Sequence, residues 1–284
     1  MIALGAAGMT AWPQLKPQDL AQRDQWERFL ATAEIIKAEP IGEGVTNPWR
    51  LLLKSGDIEH AAAWKNPDTK PPVELDKWRF EIAAYRLDKL IGLDMVPPAV
   101  EREFAKPSKL NAVPEKGALS FWADSKASLL NLVEAGQTPS ASAEREKYIT
   151  RLWDCLIANE DRTQQNILYD YDDIKGRWRT ILIDHSRAFR STKKYTDRLI
   201  FGVNGIQRSD SRQPILIRQV PRALYEKIMA LTFDDIKQAV GPYLADGDIR
   251  AILARKELIK KEIEAMIKQN GEDRVLIKAP GNGQ

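Results

Sequence analysis

Three polar residues border two short apolar segments in the second half of this 284-residue chain. Asp161 follows a strongly helical segment, and Asn166 begins the apolar segment Ile167 to Tyr171. Asp184 ends the second apolar segment, Thr180 to Ile183. The polar stretch between the two segments predicts an antiparallel hairpin, whose strands return to the same end. The side chains of Asn166 and Asp184 are therefore expected to face one site.

Carboxylate and amide oxygens in this order suit a site that handles phosphate and a hard metal ion. Phosphoryl transfer needs one carboxylate to orient the attacking hydroxyl, while an amide and a second carboxylate hold metal on the phosphates. Asp161 fits the first role, and Asn166 and Asp184 fit the second. The spacing alone leaves a structural alternative, in which Asp161 caps a turn and Asp184 simply ends a strand.

A second set of residues occurs upstream in the order that phosphate binding requires. Gly42 and Gly44 lie in a turn that a phosphate could approach closely. Lys65 ends a predicted strand, and Glu81 lies at the edge of a predicted helix. Lys54 is a competing lysine, but it adjoins a predicted hairpin turn and should lie farther from the phosphates. We therefore assign the phosphate-binding role to Lys65.

The chain resembles the atypical, protein-kinase-like group that includes HipA-type bacterial kinases, phosphatidylinositol 3- and 4-kinases and secretory kinases of the Golgi casein-kinase type. The resemblance covers about residues 41–184, continues loosely through the C-terminal helices, and looks closest to bacterial members of the group. Four segments carry it: Phe80-Glu81-Ile82-Ala83-Ala84-Tyr85-Arg86-Leu87-Asp88-Lys89-Leu90-Ile91-Gly92-Leu93, Val96-Pro97-Pro98, Asp161-Arg162 with Asn166, and Ile183-Asp184-His185.

The resemblance implies a bilobal fold that binds ATP between its lobes together with Mg²⁺ or Mn²⁺. The implied roles are catalytic for Asp161 and Lys65, nucleotide binding for Gly42, Gly44, Lys65 and Glu81, and metal binding for Asn166 and Asp184. The chain departs from the family pattern at two places. Thr163 stands where many members of the group carry histidine, and His185-Ser186 follows Asp184 in place of Phe-Gly. No Ala-Pro-Glu segment follows Asp184, so an ordinary activation loop is not implied.

The periodicity predicts an α+β fold with a β-rich N-lobe and a mainly helical C-lobe. We place an N-terminal arm and lead-in helix at residues 1–40, the N-lobe at 41–122 and the C-lobe with its metal-binding hairpin at 123–284. The predicted N-lobe elements are strands Arg50–Lys54 and Ile58–Lys65, a helix Asp76–Ile91 with Asp76 as N-cap, an edge strand after Met95 and a strand Leu119–Ala123. The predicted C-lobe helices are Ser128–Ala135, Ser142–Asn159 and most of Pro221–Gln269, and the last dozen residues are expected to be disordered.

Composition excludes several other classes of protein. The formal charge of +3 is too small and too scattered to indicate a nucleic-acid partner. Cys155 is the single cysteine, so the chain has no internal disulfide and no zinc site built from several thiolates. No apolar run reaches the roughly 18 residues that span a bilayer. The stretch Ile2–Trp12 is either a trimmed signal remnant of a secreted or periplasmic protein or a loose arm on a cytoplasmic one.

The residues favour an ATP-dependent phosphotransferase acting on a hydroxyl of a protein, a sugar, a lipid head group or a small molecule. Two alternatives stay open, namely a pseudokinase that acts by binding and a kinase-fold enzyme that transfers AMP. Phe121 and Trp122 could flank an adenine, although core packing is the more ordinary role of such aromatics. The basic run Arg187, Arg190, Lys193 and Lys194 could receive an acidic substrate, but we expect a solvated loop.

Overall fold

The computed structural model describes the chain in eight stretches. They are residues 22–42, 47–70, 75–107, 113–123, 125–137, 141–172, 177–200 and 217–277, except for the side chains of 141–145, 171, 172, 177 and 178. Gly44, the stretch Ile2–Trp12 and the final residues 278–284 lie outside these described stretches. No helix within them is long and apolar enough to cross a membrane.

An antiparallel sheet of five strands dominates the N-terminal part, in the order β1-β2-β3-β7-β6. Its strands are β1 (Glu34–Pro40), β2 (Trp49–Ser55), β3 (Ile58–Lys65), β6 (Ala99–Phe104) and β7 (Glu115–Phe121). Two short strands, β4 (Asp68–Thr69) and β5 (Asp76–Lys77), pair beside it. The bounds of β2 and β3 agree closely with the strands predicted at Arg50–Lys54 and Ile58–Lys65. Strand β6 lies at one edge of the sheet, as predicted for the strand after Met95.

The sheet begins earlier in the chain than the sequence predicted. We expected its first strand after the glycine turn at Ile41, but β1 already pairs with β2 from Glu34 onward. Its burial pattern shows no alternation, because β1 is an edge strand with a bulge between Ile35 and Lys37. Without one buried face, β1 has no period of two that sequence reasoning could detect.

Two helices pack beside the sheet, α1 (Arg23–Thr32) and α2 (Trp78–Ile91). Arg23 of α1 forms a buried ion pair with Asp88 of α2 at 2.8 Å. The predicted N-cap of α2 is wrong, since Lys77 holds that position and Asp76 belongs to β5. The carboxylate of Asp76 instead accepts a hydrogen bond from Arg187 Nε, 111 positions later in the chain.

The C-terminal part is helical apart from a small sheet in the order β10-β9-β8. Its strands are β8 (Ala127–Ser128), β9 (Ile167–Asp172) and β10 (Arg177–Leu182), and β11 (Val220–Pro221) pairs with β12 (Leu276–Ile277). The helices are α3 (Leu129–Glu134), α4 (Ala141–Ile157), α5 (Lys193–Thr196), α6 (Arg222–Ala230), α7 (Phe233–Val240), α8 (Asp246–Asn270) and α9 (Glu272–Val275), with single 3₁₀ turns at Gln164–Asn166 and Gly241–Tyr243. The antiparallel hairpin β9–β10 is therefore confirmed.

One apolar core joins the two parts. Ile82 and Leu87 on α2 are fully buried in the same cluster as Trp153 on α4 and Ile252 on α8. A second cluster lies on the other side of the sheet, where Trp26 of α1 packs with the strands. The chain thus has a sheet-rich N-terminal part and a helical C-terminal part, which confirms the predicted α+β class. Helix α2 packs against both the sheet and the C-terminal helices.

Candidate active site

A cavity of about 870 Å³ lies between the five-stranded sheet and the β9–β10 hairpin. This volume falls within the range of small-molecule sites. Its walls include five of the residues that the sequence singled out: Lys65, Glu81, Asp161, Asn166 and Asp184. Residues separated by more than a hundred positions in sequence are thus brought to one cleft.

Lys65 points into this cleft because side chains alternate between the two faces of β3. On β3, His60, Ala62 and Trp64 are buried against the core, so the residues between them face the other side of the sheet. Ala63 and Lys65 lie on that other side, and both line the cavity. The competing lysine, Lys54, is the penultimate residue of β2 and forms an exposed ion pair with Glu59.

Lys65 contacts two carboxylates that also line the cavity. Its Nζ lies 2.8 Å from Asp184 Oδ1 and 3.1 Å from Glu81 Oε1. Burial alone would lower the pKa of Lys65, but Asp184 and Glu81 outweigh it and raise the pKa above its ordinary value. Burial alone would raise the pKa of Glu81, yet Lys65 and hydrogen bonds from His185 hold that pKa well below its usual range. The ammonium and the Glu81 carboxylate therefore stay charged.

Gly42 and Asp184 both have a left-handed backbone conformation, but Gly42 itself is not among the described residues that line the cavity. Gly42 has φ +75°, a left-handed conformation that favours glycine, and its neighbour Ile41 lines the cavity. Asp184 has φ +61° two residues after β10 ends. A non-glycine residue in this region is strained and persists only where its surroundings hold it. Besides Lys65, Ser186 Oγ holds the Asp184 carboxylate, donating at 3.2 Å.

His185 connects this cluster to the interior. Its backbone N–H donates to Glu81 Oε2 at 3.0 Å, and its ring is fully buried. Arg162 Nη2 lies 2.9 Å from His185 Nε2, and Trp153 Nε1 donates to the same nitrogen at 3.4 Å. Because both neighbours are donors, Nε2 is the acceptor and the ring proton is on Nδ1. Burial lowers the pKa of His185, which keeps the ring neutral.

Arg162 ties the loop that carries Asp161 to both strands of the hairpin. Its Nε and Nη2 each donate at 3.0 Å to the fully buried carboxylate of Asp154 on α4. Its Nη1 donates to the carbonyl oxygens of Asn166 and Ile183. Arg162, the residue after Asp161, therefore connects this loop to α4, to the residue directly before β9 and to the residue directly before Asp184.

Asp161 faces an arginine from the loop after Asp184. Arg187 Nη1 lies 3.5 Å from Asp161 Oδ2, and Arg187 Nε donates to Asp76 Oδ2 at 3.2 Å. The side chains of Arg187 and Arg190 are only 19% and 13% exposed, so these two residues do not form the solvated loop that we expected. Lys193, at 90% exposure, does fit that expectation.

Part of the cavity lining is apolar. It includes Ala63, Val96, Phe121 and Leu182, with Trp122 beside them. Phe121 is buried and its ring stacks on His60 with centroids 4.0 Å apart, so it serves the core and the cavity wall together. Such a surface suits a flat, uncharged ring.

The donor set fits a metal ion that is shared with a ligand. Within the described stretches no three His, Cys, Asp or Glu side chains are placed to hold a metal by themselves. Asp184 and Asn166 nevertheless line the cavity, and so does Asp76, whose Oδ1 is buried without a hydrogen-bond partner. Mg²⁺ is typically held by one or two carboxylates with phosphate oxygens supplying further positions. These residues would suit that arrangement.

Sequence reasoning missed Asp76, Asp154 and Arg187 as site residues. Asp76 was interpreted as a helix cap and Arg187 as part of a solvated run. The contact between Asp76 and Arg187 joins positions 111 apart, so no local sequence pattern could have indicated it. Thr163, the first noted departure, also lines the cavity with its Oγ1 buried and without a partner among the described residues.

No protein-family model and no curated protein matches the chain. Solved structures do match in fold. The structure of hydra Fam20 with sugar superposes with a TM-score of 0.66 at 14% identity, covering 91% of this chain and 93% of that one. A Golgi casein kinase gives a TM-score of 0.61 at 15% identity, covering 90% of this chain and 78% of that one. The Golgi casein kinase with Mn/ADP bound gives 0.60 at 14% identity, covering 92% of this chain and 80% of that one. The chain therefore has an atypical protein-kinase-like fold.

Proposed function

We propose that this protein is a phosphotransferase that uses ATP and Mg²⁺ or Mn²⁺ to phosphorylate a hydroxyl group. One observation carries the proposal: Lys65 contacts Glu81 and Asp184 at once, inside a cleft that Asp161 and Asn166 also line. A purely structural ion-pair cluster would explain the contacts of Lys65 with Glu81 and Asp184. It would not explain why the same cleft holds a further carboxylate and an amide in the places that phosphoryl transfer uses.

The fold supports the same assignment. Two of the structural matches are named as a Golgi casein kinase, and one of these was crystallised with Mn/ADP bound. By this proposal the apolar lining residues Val96, Phe121 and Leu182 contact the adenine ring. The phosphates then extend toward Lys65, which the Glu81 carboxylate holds in place.

Each side chain has a definite task in the proposed reaction. The Lys65 ammonium binds phosphate oxygens, and Asp161 accepts the hydrogen bond of the acceptor hydroxyl and then its proton. Asn166 and Asp184 would hold the metal, which neutralises charge on the phosphates. Arg162 touches no reacting atom, but it is a positioning residue because it fixes the loop of Asp161 and both metal-binding positions.

The charge of the cleft supports a role for a divalent ion. Among the described residues lining it, Asp76, Glu81, Asp161 and Asp184 are acidic, whereas Lys65 and Arg187 are the basic ones. The lining therefore has an excess of negative charge, and a triphosphate would be repelled from it. Nucleotide binding is expected to depend strictly on the metal.

A matched lysine pair tests the assignment. Lys65→Met and Lys54→Met each remove one ammonium from the same sheet, but Lys54 lies in an exposed pair outside the cavity. We expect Lys65→Met to lose metal-dependent ATP binding by calorimetry, and Lys54→Met to bind as the wild type does. Equal binding by Lys65→Met and the wild type would contradict the proposal.

The transfer step is tested with Asp161→Ala. This variant should keep nucleotide binding and its melting temperature, yet release no ADP and transfer no phosphoryl group from labelled ATP. Asp184→Asn should instead weaken the metal-dependent binding. Intact-mass measurement after incubation with ATP separates phosphoryl transfer from AMP transfer. Stabilisation by ATP and metal without turnover on any acceptor would identify a pseudokinase.

A further inference from the structure

The tasks above leave Arg187 without a role. It lies three residues after Asp184, lines the cavity and is mostly buried. Its guanidinium contacts Asp76 on β5 with Nε and Asp161 in the loop after α4 with Nη1. A single cation thus lies between the strand that precedes α2 and the loop that holds the proposed proton acceptor.

The surrounding backbone holds Arg187 in this position. Lys77 N–H donates to the carbonyl oxygen of Ser186 at 2.8 Å, joining the loop to β5. The carbonyl oxygen of Arg187 itself accepts from Arg190 Nε at 3.1 Å. Both sides of the residue are therefore fixed, so its guanidinium is placed before any ligand arrives, as electrostatic stabilisation in an active site requires.

Its location also separates its task from that of Lys65. Lys65 contacts Glu81 and Asp184, whereas Arg187 contacts Asp161. In the proposed reaction the acceptor hydroxyl lies against Asp161, and the terminal phosphoryl group must lie next to that hydroxyl. Arg187 is the cation of the cavity lining that contacts this carboxylate. A guanidinium presents its N–H donors in a planar fork that matches the oxygens of both carboxylates and phosphates.

We infer that Arg187 binds the phosphoryl group that is transferred, while its contact with Asp161 keeps that carboxylate aimed at the acceptor. This inference rests on the proposed function and deepens it. During transfer the bond between the terminal phosphorus and the bridging oxygen of ATP breaks, and a bond to the acceptor oxygen forms. The acceptor proton passes to Asp161, and ADP leaves with the bridging oxygen. Arg187 stays protonated throughout and acts as a hydrogen-bond donor.

A competing explanation is a purely structural role, in which Arg187 only links Asp76 to Asp161 across the cleft. The two explanations differ in their dependence on the nucleotide. A contact to the terminal phosphoryl group strengthens binding of a triphosphate and leaves a diphosphate unaffected. A structural link affects both nucleotides equally, together with the melting temperature.

The experiment measures dissociation constants for ADP and for a non-hydrolysable ATP analogue, each with Mg²⁺, by calorimetry. The proteins are the wild type, Arg187→Gln, Arg187→Lys and the control Lys193→Gln, which removes an exposed charge from α5, the helix that follows the loop of Arg187. We expect Arg187→Gln to weaken binding of the ATP analogue by roughly tenfold or more, the loss of a charge-assisted hydrogen bond. Its affinity for ADP should stay unchanged. Arg187→Lys should recover part of the loss, because it keeps the charge without the planar fork.

The outcomes distinguish failure of the Arg187 inference from failure of the proposed function. If Arg187→Gln weakens both nucleotides equally, or neither, the inference is wrong while the proposed function stands. If the wild type binds neither nucleotide with metal, the proposed function itself fails, and the inference fails with it. Thermal melting of each variant shows whether it is folded, and Arg187→Lys supplies the comparison if Arg187→Gln melts early.

Discussion

Arg162 and Asp154 form a two-point ion pair in which both side chains are completely buried. Breaking such a pair by removing one partner leaves an uncompensated charge in the interior, which typically costs about 3 to 5 kcal/mol. We expect Asp154→Ala to lower the free energy of unfolding by about that amount, measured by chemical denaturation.

An exposed pair serves as the control for this prediction. Lys237 and Asp246 lie 2.7 Å apart with both side chains about half exposed. Water screens such pairs, so Lys237→Met should leave the denaturation midpoint nearly unchanged. Similar losses in the two variants would show that the Asp154 pair is solvated in solution.

The ring of His185 is expected to stabilise the fold through Nε2. His185→Phe keeps a ring of similar size but leaves Arg162 Nη2 and Trp153 Nε1 without this acceptor. An unsatisfied buried donor costs about 1 to 3 kcal/mol, so the variant should unfold at lower denaturant concentration. His185→Gln can still accept a hydrogen bond and should recover part of the loss. A His185→Phe variant as stable as the wild type would disprove the assigned role of Nε2.

Gly117 on β7 leaves room for the strand that carries Lys65. A Cβ added there would lie 2.5 Å from the carbonyl oxygen of Lys65 and 2.6 Å from the ring of Trp64. Gly117→Ala should therefore destabilise the protein by about 1 to 3 kcal/mol, as overpacking does. It should also weaken nucleotide binding, because β3 must shift.

The matched control for that substitution is Gly247→Ala. Gly247 lies in α8, and an added Cβ meets no atom within 4 Å. The replacement should stabilise the protein by about 0.4 to 1 kcal/mol, since alanine restricts the unfolded chain and favours the helix. Opposite signs for the two glycines in thermal melts would support both assignments, and equal signs would contradict them.

Cys155 offers a probe of global unfolding. It is the single cysteine of the chain and is fully buried, and burial raises the pKa of its thiol. A thiol reagent should label the folded protein only as fast as it unfolds, between pH 7 and pH 9 alike, and label the denatured chain at once. Above the ordinary thiol pKa of 9.0 only the unfolded chain ionises, so the stability contributed by this group falls as pH rises. Rapid labelling of the folded protein would contradict this burial.

Local pattern was sufficient to predict much of the fold. The period of two predicted β2 and β3, and the apolar stripe predicted α2, because each of these elements buries one face. Strand β1 escaped detection because it buries no complete face. Asp76 was misassigned because an aspartate before a helix ordinarily caps it.

By itself, the sequence determined the types and the order of the residues that the site needs, from Lys65 and Glu81 to Asp161, Asn166 and Asp184. That order follows from strands and helices whose signals are local. The tertiary structure alone decided that Lys65 reaches Glu81 and Asp184 together, and that Arg187 lies between Asp76 and Asp161. Those contacts depend on how the sheet packs against the hairpin, and Glu81 and His185 meet across 104 positions. Periodicity carries no information over such distances, because it reports only which face of one element is buried.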